Sequence, residues 1–393
     1  MIADELISFL LEKYKRESNN DNLKEVLDTN LNDEDSKIAD LYINLSKAKE
    51  PKDINKWADE ILKMYPDDID VQFSKIIANF TSANDFKEKI LKLENKYKDE
   101  FYKINNISGA FLENKPLNLF ENVANRPYLR LLVQIGLTSF YNHDTEQAYE
   151  YFTKVYNFAP NLIEQFSLQY GLACVALNKE DQLNKIYEIL PNNYGLRLSH
   201  AINTFLKDHK LEALKSELDK LNPYLSIIFS RGLDISENDF NYCCSLNPYL
   251  KGSITEAIHT YNDIFMLCDG KICDEIVDAF DKRNPPSTIL DLFNENDGIV
   301  FARFLALFDN DDLVSFSYDD FLNGCLGKPC EDKKVEEILS KFDKLTDEKM
   351  VEESFNKFVG LSLLQRDEDK KFRFTETTII FYNTFLNFFK ESA

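Results

Sequence analysis

Apolar residues recur every three or four positions along most of this chain, which is the period of an amphipathic helix. Leu6, Leu10, Leu11 and Tyr14 form one such stripe near the N-terminus. The 393 residues include only 11 glycines and 11 prolines, too few for the many tight turns of an all-β protein. The hydrophobic pattern therefore predicts a mostly all-α fold.

The clearest unit is residues 129–162, LRLLVQIGLTSFYNHDTEQAYEYFTKVYNFAPNL, which the pattern predicts to be two helices joined by a turn. Two small residues, Gly136 and Ala148, allow these antiparallel helices to approach each other closely. Phe152 is expected to fill the space between neighbouring units, and Pro160 to end the second helix.

Counted from Leu129, these four residues occupy positions 8, 20, 24 and 32 of a 34-residue period. This spacing resembles the tetratricopeptide repeat. Two less regular units follow at residues 169–192 and 199–225. Because one such hairpin cannot bury its apolar face alone, tandem units stack, and the resemblance implies a curved α-solenoid.

Three short segments, FENVANRPYLR at 120–130, LNPYL at 221–225 and KGSITEAIHTY at 251–261, extend the resemblance. Their order, over about residues 117–265, is similar to bacterial repeat proteins related to the suppressor of tumorigenicity 7 family. That resemblance implies an interaction or scaffold role without a settled activity.

The repeat resemblance also implies a set of partner-binding residues. Positions 2, 5, 9 and 12 of the first helix of such a repeat face a concave groove, and here they are Arg130, Val133, Leu137 and Phe140, with Arg126 just before them. A cation and an aromatic ring suit an acidic and hydrophobic ligand segment. Plain core packing is the alternative for Val133 and Leu137. We therefore expect a non-enzymatic scaffold or adaptor that holds a peptide or helix of a partner protein.

The distribution of charge divides the chain into three regions. Residues 1–110 are predicted helical repeats with a net charge of −6, and residues 111–233 are the repeat core with −1. Residues 234–393 form an acidic helical region with −15, so the total is −22. Nucleic-acid binders need a positive stripe, and the sequence shows none, which argues against a nucleic-acid partner. The acidic excess indicates either solubility or a docking surface for a basic partner.

Two segments of the third region share the pattern Y-x-D-x-x-x-x-C-x-G-K-x-C, at 261–273 and 318–330. We interpret them as a duplicated helix–glycine–helix corner, with Gly270 and Gly327 at positive φ and buried free thiols. A four-thiolate zinc site is a less favoured interpretation, because the cysteines of each pair lie five positions apart and no histidine flanks them. A redox pair is a third. The zinc candidates are Cys268, Cys273, Cys325 and Cys330.

The last fifty residues have the pattern of a winged-helix-like module. A helix at 351–364 is followed by two strands around a turn at Asp367–Lys371, and another helix begins at Thr375 or Thr377. Acidic residues around the first helix favour an interaction or capping role over DNA reading. The alternative is a transcription-type regulator that uses this module.

Catalytic patterns are sparse. The four histidines lack metal-site spacing, and neither a G-x-S-x-G nor a G-x-G-x-x-G motif occurs. We therefore predict no enzymatic activity and no cofactor. Asp4 and Glu5 argue against a signal peptide, no apolar run approaches roughly 18 residues, and seven cysteines fit reduced thiols. These features predict a cytoplasmic protein without a membrane segment.

Overall fold

The computed structural model describes residues 33–107, 116–231, 250–282, 288–310 and 315–391, with a few isolated positions between them. The described residues are mostly helical, as predicted. The chain packs as two compact units, Met1–Asn178 and Lys179–Ala393. The N-terminal stripe of Leu6 to Tyr14 and the predicted boundary at 110 lie outside the described residues, as does the boundary at 233. The three predicted regions remain a prediction.

The first unit consists of consecutive helices that pack on their neighbours in the chain. In addition, α3 packs beside α5, and α5 beside α7. The helices are α1 (Asp33–Lys47), α2 (Pro51–Met64), α3 (Ile69–Asn79), α4 (Ala83–Ile104), α5 (Arg126–Tyr141), α6 (Thr145–Phe158) and α7 (Ser167–Ala176).

Local sequence signals set where these helices begin. The carboxylate of Asp68 accepts a hydrogen bond from Val71 N at the start of α3, and that of Asp144 accepts one from Gln147 N at the start of α6. These side chains satisfy backbone N–H groups that have no partner within the first helical turn. Pro51 stands at the first position of α2, where a missing N–H costs nothing.

The predicted hairpin at 129–162 is present as α5 and α6. Gly136 faces the ring of Phe152, and a Cβ atom at this glycine would lie 2.6 Å from the nearest ring carbon. Ala148 and Phe152 are fully buried, and the Phe152 ring stacks on Phe166 at 4.9 Å between centroids. Pro160 begins a short 3-10 turn rather than a further turn of α6. The small residues therefore allow the close approach that the sequence predicts.

The second unit is also mostly helical. The unit predicted at 199–225 corresponds to α9 and α10, which pack against each other. The helices are α8 (Glu180–Ile189), α9 (Tyr194–Asp208), α10 (Leu211–Leu221), α11 (Leu225–Phe229), α12 (Ile254–Phe265), α13 (Lys271–Asp281), α14 (Glu295–Phe308), α15 (Tyr318–Leu326), α16 (Lys333–Leu339), α17 (Glu348–Gly360) and α18 (Glu376–Glu391).

Strands β1 (Leu364–Arg366) and β2 (Phe372–Phe374) form an antiparallel hairpin between α17 and α18, in the predicted order of elements. Asp367 closes the turn by accepting a hydrogen bond from Lys371 N at 2.8 Å. The backbone of Phe316 pairs with Phe372, which adds a bridge on the far side of β2. Phenylalanine rings from the helices and this small sheet form the core of the module.

The two glycines of the repeated cysteine pattern both have positive φ, as predicted, at +84° for Gly270 and +66° for Gly327. The corners nevertheless differ. Gly327 ends α15, and α16 begins only at Lys333, whereas Gly270 ends a 3-10 turn and α13 begins at the next residue. The shared letters therefore give the same glycine conformation in two different local structures.

Candidate functional site

A groove of about 370 Å³ lies in the first unit, between α1, α3, α5 and the 3-10 turns that precede α5 and follow α6. We call it the α3–α5 groove. Most of its wall is apolar. It is lined by Tyr42, Leu45, Ser46, Ile69, Asp70, Phe73, Ser74, Ile77, Phe120, Pro127, Arg130, Leu131, Val133, Gln134, Leu162 and Gln165.

Helix α3 supplies one wall of the groove because it has apolar residues on two faces. Val71 is fully buried on the face that packs into the core. Ile69, Phe73 and Ile77, spaced four residues apart, lie on another face and line the groove. The side chain of Ile77 is 45% exposed, so the groove presents apolar surface to solvent.

One ion pair lies in this apolar wall. The guanidinium of Arg130 on α5 contacts both carboxylate oxygens of Asp70 on α3, with Nε 3.2 Å from Oδ1. The side chains are only 17% and 13% exposed. They are the only charged side chains among the described residues that line the groove. Because Asp70 already engages Arg130, the basis for expecting an acidic ligand segment is lost.

Acidic residues in the first turn of α3 and just before it connect that helix to three others. Asp70 pairs with α5, Asp68 accepts a hydrogen bond from the Tyr42 hydroxyl on α1, and Asp67 lies 3.2 Å from the Lys96 ammonium on α4. Burial, reinforced by the negative charge of Asp68, raises the pKa of Tyr42 well above its usual value. Its hydroxyl therefore stays protonated and donates to Asp68.

The five residues predicted to bind a partner have different positions. Arg130 and Val133 line the groove, although Val133 is only 4% exposed and forms part of its floor. Arg126 lies behind the wall, where its guanidinium stacks on the Phe120 ring at 4.8 Å and its Nε donates to Phe120 O. Leu137 is half-buried and outside the lining. Phe140 is 2% exposed and offers a partner no surface.

Sequence reasoning missed the walls contributed by α1 and α3. It derived the groove from a single repeat, whereas the structure adds Tyr42 and Leu45 from α1 and the second stripe of α3. The available signal was the spacing of Ile69, Phe73 and Ile77, which forms a second apolar stripe on a helix that already has one.

The candidate metal residues of the second unit are not brought together as a site. Cys273, Cys325 and Cys330 are buried, and burial raises the pKa of each thiol, to about 12 for Cys325. The side chain of Cys268 lies outside the described residues. Among the residues that are described, no group of three potential His, Cys, Asp or Glu ligands is close enough to hold a metal ion.

The exposed face of α17, the helix before the hairpin, is not basic. Its exposed residues include Lys349, Glu352, Glu353 and Asn356. Lys357 instead turns toward α14, where it pairs with the buried carboxylate of Asp297. A DNA-reading helix needs positive charge toward the phosphate backbone, and this face lacks it.

A scan against protein-family models, a search of curated proteins and a search of solved structures each found no match for this chain. The resemblances to tetratricopeptide-repeat proteins and to the suppressor of tumorigenicity 7 family thus remain hypotheses. In the described part of the chain, no helix is long and apolar enough to cross a bilayer.

Proposed function

We propose that this protein is a non-enzymatic interaction scaffold that holds an apolar, uncharged segment of a partner protein in the α3–α5 groove. The observation that carries the proposal is the composition of the groove. In a chain with 29% charged residues, a partly exposed apolar wall contains a single ion pair whose two charges satisfy each other. Removing water from such a surface costs little free energy, and burying its apolar area on binding is favourable.

The arrangement of helices supports a tetratricopeptide-like α-solenoid in the first unit. Alternate helices α3, α5 and α7 lie side by side, while α4 and α6 pack against them. That arrangement is typical of stacked helical hairpins, which form concave surfaces for peptides. The C-terminal module, with its helix, hairpin and extra bridge, is proposed to be a winged-helix-like cap. Reduced cysteines favour a cytoplasmic location for the whole protein.

Site-specific photo-crosslinking in cells that express the protein tests this proposal. A benzoylphenylalanine at Ser74, in the wall of the groove, should crosslink a defined partner. Ile77→Lys should abolish that crosslink, because it places a charge in the groove at a position already 45% exposed. Ile104→Lys is the matched control, since Ile104 is 63% exposed and does not line the groove. A crosslink that persists in Ile77→Lys, or equal loss in both variants, would refute the proposal.

A transcription-type role through the C-terminal module is the second hypothesis from the sequence. The exposed acidic residues of α17 weigh against it. Of the four basic residues of the hairpin, Arg373 on β2 lies 3.2 Å from the carboxylate of Asp367, which balances its charge. Arg366, Lys370 and Lys371 are exposed, and they are the features that would favour this second hypothesis. Because the exposed face of α17 is not basic, we favour a protein partner over nucleic acid.

A further inference from the structure

We infer that a buried polar junction couples the C-terminal module (α17, the β-hairpin and α18) to helices α10–α12, so that the two cannot unfold separately. The inference goes beyond the proposed function, because it concerns the second unit and does not depend on the α3–α5 groove. It follows from buried hydrogen bonds that join residues 111 to 137 positions apart in the chain.

Asn222 holds the turn after α10 against the start of α12. Its side chain is fully buried. Asn222 Oδ1 accepts a hydrogen bond from Tyr224 N at 2.9 Å, and Nδ2 donates to Ser253 O and to Glu256 Oε2, each at 3.0 Å. The same carboxylate oxygen accepts from Gly252 N at 2.7 Å. Because a buried polar group without a hydrogen bond is costly, these bonds fix the turn and the helix start in one arrangement.

Three hydrogen bonds connect this arrangement to the C-terminal module. They run from Tyr224 Oη to Leu361 O at 2.7 Å, from Ser362 Oγ to Lys251 O at 2.9 Å and from Ile254 N to Thr377 Oγ1 at 3.3 Å. The side chains of Tyr224 and Thr377 are 0% and 1% exposed, so water does not reach these bonds in the folded unit. Breaking either of them without opening the junction would leave a buried polar group without its partner.

The start of α12 depends directly on the module. The first N–H groups of a helix have no partner inside the helix. Within α12, Ser253 Oγ at the N-cap accepts from Glu256 N at 3.1 Å. The acceptor for Ile254 N is instead Thr377 Oγ1, which the module supplies. The hydrogen bonding of this helix start is therefore complete only when the module is in place.

The backbone conformation at the junction has the same implication. Ser362, in the turn between α17 and β1, has a φ of +57°, which is unfavourable for a residue other than glycine. Such a conformation persists where the surrounding structure fixes it. Here the Ser362 hydroxyl donates to Lys251 O, and Ser362 O accepts from Thr375 Oγ1 at 2.6 Å. One of the contacts that hold this turn thus comes from the residue three positions before α12.

The junction also gives a role to two of the short segments identified in the sequence. LNPYL at 221–225 supplies Asn222, and KGSITEAIHTY at 251–261 supplies Glu256. Both side chains form hydrogen bonds inside the fold. These polar residues therefore stabilise the junction and offer no surface to a partner.

Hydrogen exchange of the full-length protein, measured by mass spectrometry where exchange reports the opening equilibrium, tests the inference. Tyr224→Phe and Thr377→Val each remove one partner across the junction. Either change should accelerate the slowest amides of α10 and of the β-hairpin by the same factor, roughly 5- to 150-fold. Thr377→Ser keeps the hydroxyl group and should exchange like wild type in both regions.

Tyr318→Phe is the matched control, because Tyr318 is a half-buried tyrosine on α15 outside the junction. It should leave exchange in both regions within about twofold of wild type. Acceleration confined to α10 or to the β-hairpin would show that the two parts open independently and would overturn the inference. Unchanged exchange in both regions would overturn it as well, because the junction would then contribute nothing to holding them together. If Tyr224→Phe does not fold, the comparison of Thr377→Val with Thr377→Ser decides between these outcomes.

Discussion

Gly136→Ala should destabilise the first unit by about 1–2 kcal/mol. The added methyl group would lie 2.6 and 2.7 Å from two ring carbons of Phe152, well inside van der Waals contact. The ring has no free space to move into, because Phe152 is fully buried and stacks on Phe166. Overpacking of this kind costs about 1–3 kcal/mol. Alanine returns about 0.5–1 kcal/mol through its higher helix propensity, which leaves the net loss.

Gly298→Ala is the matched control for this prediction. Gly298 also lies inside a helix, α14, but a Cβ atom there would meet nothing within 4 Å. This substitution should gain roughly 0.5–1 kcal/mol from propensity alone. The free energy of unfolding is measured in urea by circular dichroism. The fluorescence of Trp57, the only tryptophan, reports the first unit separately.

The result that would refute the reasoning is Gly136→Ala with stability equal to or above that of wild type. A second comparison isolates the contact. In a Phe152→Leu background the ring is gone, so the penalty for Gly136→Ala should fall by more than half. If the penalty is unchanged in that background, it does not come from contact with Phe152.

Three further predictions concern charges. Arg130→Ala and Asp70→Asn should each lower the free energy of unfolding, measured in urea, by about 2–3 kcal/mol. The double variant should lose less than the sum of the two single losses, and additive losses would mean that the two residues are not coupled. Asp297→Asn should lower the free energy of unfolding by about 1–3 kcal/mol at pH 7. Glu295→Gln, on the same helical turn, is the control and should lower it by less than about 0.5 kcal/mol. Although burial opposes ionisation, hydrogen bonds hold the pKa of Asp297 below its usual value. The difference in unfolding free energy between Asp297→Asn and wild type should therefore shrink below about pH 4, where the wild-type carboxylate becomes protonated. A difference that stays constant with pH would contradict this. A labelled DNA duplex should show no binding by fluorescence anisotropy up to about 10⁻⁴ M at physiological salt, and saturable binding would reinstate the regulator hypothesis.

Arg130 and Phe140 are poor probes of binding, because substituting either residue also lowers stability. Arg130→Ala leaves the carboxylate of Asp70 partly buried without its partner, and Phe140→Ala opens a cavity around a side chain that is 2% exposed. Both changes lower stability, so a loss of binding in either variant would not distinguish an altered groove from an unfolded one. Ile77 avoids this problem, because nearly half of its side chain already lies in solvent.

Sequence reasoning was most successful where local chemistry decides the structure. The α5–α6 hairpin follows from Gly136, Ala148 and Pro160, and the β-hairpin follows from the polar turn at Asp367–Lys371. The end of α17 was less accurate. The helix was predicted to reach residue 364 but ends at Gly360, because Ser362 has a φ of +57° and donates its hydroxyl hydrogen bond to Lys251 O. That acceptor is 111 residues away, so no local pattern identifies it.

The groove could be predicted only in part for the same reason. Arg130 was identified as a notable cation, but its partner Asp70 lies 60 residues earlier in the chain. From the sequence alone Arg130 is available to an acidic ligand, whereas in the fold Asp70 engages its charge. Periodicity shows which face of a helix is apolar, but not which distant side chain neutralises a charge on that face.

The two apolar faces of α3 are the strongest reason to expect a partner at this groove. The buried face, represented by Val71, packs into the core of the unit. Scattered exposed apolar residues are normal, and one of them alone would mean little. Ile69, Phe73 and Ile77 instead form a continuous stripe in a groove that lacks an unbalanced charge. Full burial of an isoleucine gains about 1.5–3 kcal/mol, so covering the exposed 45% of Ile77 gains roughly 1 kcal/mol from that residue. This stabilisation is not gained when the unit folds, because Ile77 stays partly exposed, and it would be gained when a ligand covers the groove.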